Sequence, residues 1–214
     1  MNIIRRAVLR HAIWAGIGAL FLSAPTAAWA LSTQDTQDIN RIEAYLNGIT
    51  TLKARFLQIA PSGASSTGKL WMERPGRMRF EYDPPSPLLL VAGHGLLIYH
   101  NADLDQTSTL PLAKTPLGIL LEDHVQLSGA VTVLHVARDA GALAIQIDRT
   151  ASPADGTLTV LFADNPLELR GWIVRDGQDQ ETRIGLDNLD FSANGFSDDL
   201  FTYVDPKLFE NNQP

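Results

Sequence analysis

Arg77-Met78-Arg79-Phe80-Glu81-Tyr82 carries a charge at every odd position and an apolar or aromatic side chain at every even one. A strand sends successive side chains to opposite faces, so this period of two predicts a β-strand with one wet face and one dry face, the dry face holding Met78, Phe80 and Tyr82. Asp83-Pro84-Pro85-Ser86-Pro87 then withholds ladder donors and forces a turn. Beyond it, residues 88–92, Gly93-His94-Gly95 and residues 96–100 read as a hairpin, followed by a weaker strand over 106–110. Upstream, 53–60 alternates and 68–72 opens another strand, with Gly63-Ala64-Ser65-Ser66-Thr67-Gly68 read as a flexible loop. Downstream, 130–137, 143–148, 157–162, 168–175, 182–191 and 200–203 read as strands, and Asp155-Gly156, Asp176-Gly177 and Asn194-Gly195 supply turns. Ten or eleven short strands predict a mainly β protein, one large antiparallel sheet curled into a barrel or an open half-barrel.

Helical spacing is confined to two places. Ser32 with Asp35 forms a capping-box start, and Ile39, Ile42, Leu46 and Ile49 recur on one face until Gly48 offers a left-handed stop. The outward face would carry Asp38, Asn40, Arg41, Glu43 and Asn47. Thr115 as N-cap and Pro116 at the first helical position predict a short, apolar second helix over 116–121.

The chain has 214 residues, 45% hydrophobic and 19% charged, which is ordinary globular composition and long enough for one self-sufficient core. Residues 1–30 stand apart. Arg5, Arg6 and Arg10 precede an apolar run from Ala12 to Leu22 and the finish Ala28-Trp29-Ala30, the pattern of a secretory signal peptide cleaved after Ala30. Arg5-Arg6 leaves both the general and the twin-arginine export routes open. Residues 31–214 are then a single acidic, exported domain with 14 basic and 24 acidic side chains, a net charge of −10. Nucleic acid and anionic membrane surfaces need clustered Lys and Arg and fit such a chain poorly.

Enzymatic signatures do not surface. Without a single cysteine there is no disulfide, thiol nucleophile or cysteine metal site. His94, His100, His124 and His135 lack zincin spacing, and no Gly-x-Ser-x-Gly, Walker or Gly-x-Gly-x-x-Gly element occurs. No metal or cofactor is expected. Asp103 with Asp105, and Asp187 with Asp190, read as solvated pairs near turns.

What the pattern does offer is apolar surface. A curled sheet covered by only two helices suits a lipid cavity, because acyl burial is non-directional and needs few polar groups. The residues alone leave a second reading open, in which Met78, Phe80, Tyr82, Trp172 and the helix side chains are plain core.

A resemblance favours the cavity. Trp71-Met-Glu-Arg74-Pro75-Gly76-Arg-Met78-Arg-Phe80-Glu-Tyr82, then Pro87-Leu-Leu-Leu-Val-Ala-Gly93, Tyr99 to Gln106, Thr115-Pro116-Leu-Gly-Ile-Leu120-Leu121, Leu169-Arg-Gly-Trp172-Ile-Val-Arg-Asp176 and Leu200-Phe201 resemble, in that order, the periplasmic outer-membrane lipoprotein carrier (LolA) family. The resemblance implies an unclosed antiparallel β-barrel of about eleven strands with a helical lid over an apolar cavity. It implies a monomeric periplasmic carrier of acylated lipoproteins, loaded by an inner-membrane ABC transporter complex and unloaded at an outer-membrane receptor. Arg74 matches the family's lid-latching arginine, although by position alone it is also a strand-end surface charge. Met78, Phe80, Tyr82 and Trp172 match the cavity wall, and Ile42, Leu46, Leu120 and Leu121 the lid that faces it. Gly118 departs from the pattern and predicts a looser lid helix. A half-barrel for another lipid, glycolipid or polycyclic, is the first alternative; an acyl-ester hydrolase is the second and would need a nucleophile and base that the sequence does not display.

Magnitudes support a carrier of this kind. Each buried methylene contributes about 0.8 kcal/mol, so a chain of about sixteen carbons is held in its membrane by of order 12 kcal/mol. A movable lid can offset that loss and later withdraw the contact.

Overall fold

The computed structural model describes residues 31–204; the signal-peptide assignment and the cleavage after Ala30 lie outside them. The first element, α1 (Thr33–Asn47), starts as the sequence predicts: Ser32 accepts from the Asp35 backbone N–H, and the Asp35 carboxylate accepts from the Ser32 N–H at 2.8 Å. The Ser32 hydroxyl also donates to that carboxylate at 2.7 Å, and it, the Ser32 N–H and then the Arg138 guanidinium hold the Asp35 carboxyl down at about 2. The stop differs. Gly48 has φ −72°, ordinary right-handed backbone, and its N–H closes the helix onto the Ala44 and Tyr45 carbonyls.

Eleven strands follow: β1 (Thr51–Ile59), β2 (Ser65–Glu73), β3 (Arg77–Tyr82), β4 (Leu88–Gly93), β5 (Leu96–Asn101), β6 (Gln106–Pro111), β7 (Val131–Asp139), β8 (Ala142–Arg149), β9 (Gly156–Ala163), β10 (Glu168–Asp176) and β11 (Glu181–Asp190). They form one antiparallel sheet in the order β6-β5-β4-β3-β2-β1-β11-β10-β9-β8-β7. Two meanders therefore meet at the β1–β11 pair, and β6 and β7 remain as edges, so the barrel is not closed. The half-barrel and strand number expected from the sequence are what the structure has.

The alternation in β3 sorts its faces as predicted. Met78, Phe80 and Tyr82 point into the concave side at 1%, 2% and 8% exposure, and Arg77, Arg79 and Glu81 point out. Their partners Leu70, Met72 and Ala92 continue the same dry face across the sheet.

Four local expectations fail, each for a physical reason. Residues 65–68 are paired in β2 and not loop, because Gly68 lies opposite Phe56, where a Cβ would come within 2.6 Å of that ring. Residues 200–203 are not a strand; Asp198–Phe201 is a 3-10 turn laid over the outer face of β3 and β4, where Arg79 bonds to the Leu200 carbonyl and Arg77 sits over the Phe201 ring at 5.5 Å. Asp38 is buried and not outward, since Arg138 from β7 reaches it at 2.6 Å and Asp35 at 2.8 Å. The short helix is 3-10 and not α: Leu112–Lys114 and Pro116–Leu121 make two tight turns bridging the open side of the sheet. Thr115 does cap the second, accepting from the Gly118 N–H.

Candidate functional site

The two 3-10 turns, residues 112–121, form a roof over the concave face, and beneath one end of it lies a cavity of about 350 Å³. Its floor is aromatic. Phe80 and Trp172 meet edge to face at 6.2 Å, and Phe56 stacks edge-on against both Phe80 and Tyr82 at 5.0 and 5.1 Å. Its wall is Leu90, Leu97, Tyr99 and Leu110, brought side by side by the register Phe80↔Leu90↔Tyr99 and Leu97↔Leu110. Val174 and Ile184 face them, and Lys114 to Leu117 cover the top. Tyr99 and Leu110 are 38% and 55% exposed, so the lining opens toward β6. Polar groups are few and peripheral: Lys114, Asp155, Asp176 and Thr182 at the rim, and Gln58, whose Oε1 accepts from the Tyr82 hydroxyl at 2.7 Å. Burial pushes the Tyr82 phenol up, so it stays neutral. Apolar walls with a sparse polar rim are suited to a hydrocarbon guest.

Of the residues expected to line a cavity, Phe80, Tyr82 and Trp172 do so. Met78, Ile42, Leu46, Leu120 and Leu121 sit instead in the continuous core beneath α1 and the roof, none more than 4% exposed. Leu90, Leu97, Tyr99 and Leu110 were not singled out by sequence. For Leu90 the signal is masked because β4 is covered on both faces: outward Val91 is 1% exposed, and the Phe201 carbonyl packs against Gly93.

Arg74 lies at the turn between β2 and β3 and points under α1, where Nη2 donates to the carbonyl of Leu46 in the helix's last turn. Two residues on, the Gly76 N–H donates to the Leu121 carbonyl at 2.8 Å. One turn thus holds the end of α1 and the end of the roof. The segment that follows the roof is also stitched to α1. The Asn47 side chain takes both backbone groups of Val125, at 2.8 and 2.9 Å, and the Leu127 N–H donates to Glu43 at 2.8 Å. Desolvation pulls the Arg74 guanidinium below its ordinary value, with Asp123 opposing, and its buried Nε has no hydrogen-bond partner. The charge-assisted bond to Leu46 is thus partly offset by an unmet buried donor.

Gly118 does not loosen the roof. A Cβ there would lie 2.3 Å from the Leu112 carbonyl oxygen and 3.1 Å from the Arg149 guanidinium, so glycine is what lets the two turns close on each other. Gly118→Ala should therefore destabilise by about 1–3 kcal/mol, the usual cost of overpacking. A urea midpoint equal to or above wild type would contradict this.

Residues 47–204 match the family model described as "Outer membrane lipoprotein carrier protein LolA". The chain is 28% identical to an outer-membrane lipoprotein carrier protein of Methylococcus capsulatus over 200 residues, 89% of this chain and 91% of that one. It is also 28% identical to one from Pseudomonas syringae pv. syringae over 171 residues, covering 76% and 79%. Among solved structures, a LolA-superfamily protein of Nitrosomonas europaea is similar, with 10% identity, a TM-score of 0.41 and coverage of 77% of this chain and 97% of that one. With a family model spanning the sheet from β1 to β11 and the turn, roof and strap around it, the chain belongs to the LolA family of outer membrane lipoprotein carrier proteins.

Proposed function

We propose that the protein is a periplasmic carrier, not an enzyme, which takes the acyl chains of lipoproteins from an inner-membrane ABC transporter complex and delivers them to an outer-membrane receptor. The observation that carries this reading is the aromatic-floored cavity between sheet and roof, whose lining is mostly apolar with few polar groups. Family membership supports it. So does the pattern of residues 1–30, which suits an exported chain cleaved after Ala30.

The size of the cavity says how the cargo is held. At about 350 Å³ it is little more than twice the roughly 150 Å³ engineered cavity that accepts benzene, room for part of one acyl chain. A cargo with two or three chains needs more. Lifting α1 and the roof would add Met78, Ile42, Leu46, Leu120 and Leu121 to the available surface, all now closed off. Closing would then press the bound chains between the two layers, and Arg74 would bias that equilibrium from the hinge side.

The test is native mass spectrometry of the protein isolated from its own cells, with solvent extraction of what it carries. Lipoprotein masses bearing diacylglyceryl-modified cysteine are expected. Recovery of only glycolipid, polycyclic lipid or phospholipid would contradict the reading and favour a carrier of another lipid.

A further inference from the structure

The two edges of the open sheet are not alike. Strand β7 is protected in the ways that sheet edges commonly are. It is bulged between Val133 and His135, carries Arg138 and Asp139, and is tied to α1 through Arg138. Strand β6, Gln106-Thr-Ser-Thr-Leu-Pro111, has none of this: no charge, no bulge, and all six residues exposed. Among the described residues no strand pairs with its outer edge, and only the Tyr203 hydroxyl reaches a β6 side chain from outside the β5–β6 hairpin, Thr107 at 3.3 Å; threonine-rich sequence with high strand propensity at such an edge is a template for a further strand.

The register says which backbone groups are on offer. Leu112 N–H donates to the Gly95 carbonyl, so Gly95 and Leu112 form a hydrogen-bonded pair, and such pairs alternate along an antiparallel ladder. Leu97 with Leu110, Tyr99 with Ser108, and Asn101 with Gln106 are therefore the bonded pairs. Thr107, Thr109 and Pro111 turn their backbone groups away from β5. Thr107 and Thr109 present both N–H and C=O to the open side, and Pro111 its C=O alone.

This edge is continuous with the cavity. Leu110 is at once cavity lining and the neighbour in sequence of Thr109 and Pro111, and it is the most exposed apolar residue of the lining. A polypeptide whose acylated end sits under the roof leaves across β6. We infer that β6 is a docking strand for the extended segment of cargo that follows the acylated residue, and that this segment pairs with Thr107, Thr109 and Pro111 as a twelfth strand. Main-chain pairing suits a carrier, because it reads extended backbone and not side-chain identity. The inference rests on the carrier reading above.

The experiment compares a peptide of about ten residues, N-terminally capped by diacylglyceryl-cysteine, with diacylglyceryl-cysteine amide alone. The peptide extension should raise affinity about tenfold, the scale of one or two net backbone hydrogen bonds. N-methylating alternate residues of the peptide should remove that gain with the wild-type protein. Thr109→Pro, which deletes an outward N–H at an edge where proline is tolerated, should remove it too and leave the affinity for the amide unchanged. No gain from the extension, or a gain that survives both changes, overturns the docking strand while leaving the carrier reading standing. Failure of both lipids to bind overturns both. Amide exchange at Thr107 and Thr109 should slow only when the acylated peptide is added. Slow exchange in the free protein at every concentration would place the chain's own residues there, slow exchange that grows with concentration a second copy, and either result overturns the proposal.

Discussion

Replacing Arg74 with leucine is expected to release the end of α1 from the β2–β3 turn without unfolding the sheet. The guanidinium's bond to the Leu46 carbonyl disappears, and leucine can refill the apolar space but cannot donate. A charge-assisted bond contributes about 1.5–3 kcal/mol, and loss of the unmet Nε returns part of it. Amide exchange in the last turn of α1 should accelerate about tenfold or more, with the core amides of β1, β2 and β10 unchanged. Bound lipoprotein should then fail to be handed on, because closed and open states no longer differ enough to set direction. Arg74→Lys should recover only part of the protection, since a point charge does not reproduce the fork of a guanidinium. Exchange in the last turn of α1 equal to wild type in Arg74→Leu would show that the arginine is not a latch.

The second large effect concerns the cavity wall. Leu90 stands opposite Phe80 and Tyr99 and is only partly buried, so a glutamate there reaches solvent at the rim and spares the fold. Leu90→Glu places a carboxylate where an acyl chain would lie, and its ionised form cannot be covered by hydrocarbon without a large desolvation cost. Binding of a diacylated peptide should fall at least a hundredfold at neutral pH, with Leu90→Met, similar in size and apolar, close to wild type. Undiminished binding in Leu90→Glu, measured by titration with the fold checked by circular dichroism, would mean that acyl chains go elsewhere.

How much of this was legible in the sequence depends on how many neighbours each residue has. The strand at 77–82 was readable because one face meets the core and the other meets water, so burial and sequence share a period of two. The start of α1 was readable because a capping box is local. By contrast, Leu88-Leu-Leu-Val-Ala92 has no alternation: Leu88 and Leu90 face inward, while Val91 is covered from outside by the strap ending in Phe201. Leu90, one side chain of the cavity wall, is hidden in that run. Asp38 looked solvated because nothing in its own helix predicts the arrival of Arg138, a hundred residues away. Gly118 looked like a weak point because helix propensity is all that sequence offers; its function depends on the Leu112 carbonyl and the Arg149 side chain, which only the folded chain brings there. Arg74 was picked by resemblance, and its partner, α1's last turn, became visible only in three dimensions.

The central claim is that a hydrocarbon tail enters the space walled by Phe80, Leu90 and Trp172. Trp172 reports on it directly, since its indole lines the cavity and is 1% exposed. In a chain beginning at residue 31 and carrying Trp71→Phe, Trp172 is the sole tryptophan. A cysteine peptide acylated with chains brominated along their length should quench its fluorescence strongly and saturably, and the unbrominated analogue should compete. Binding of the brominated peptide with Trp172 emission unchanged would place the acyl chains outside the cavity and contradict the account.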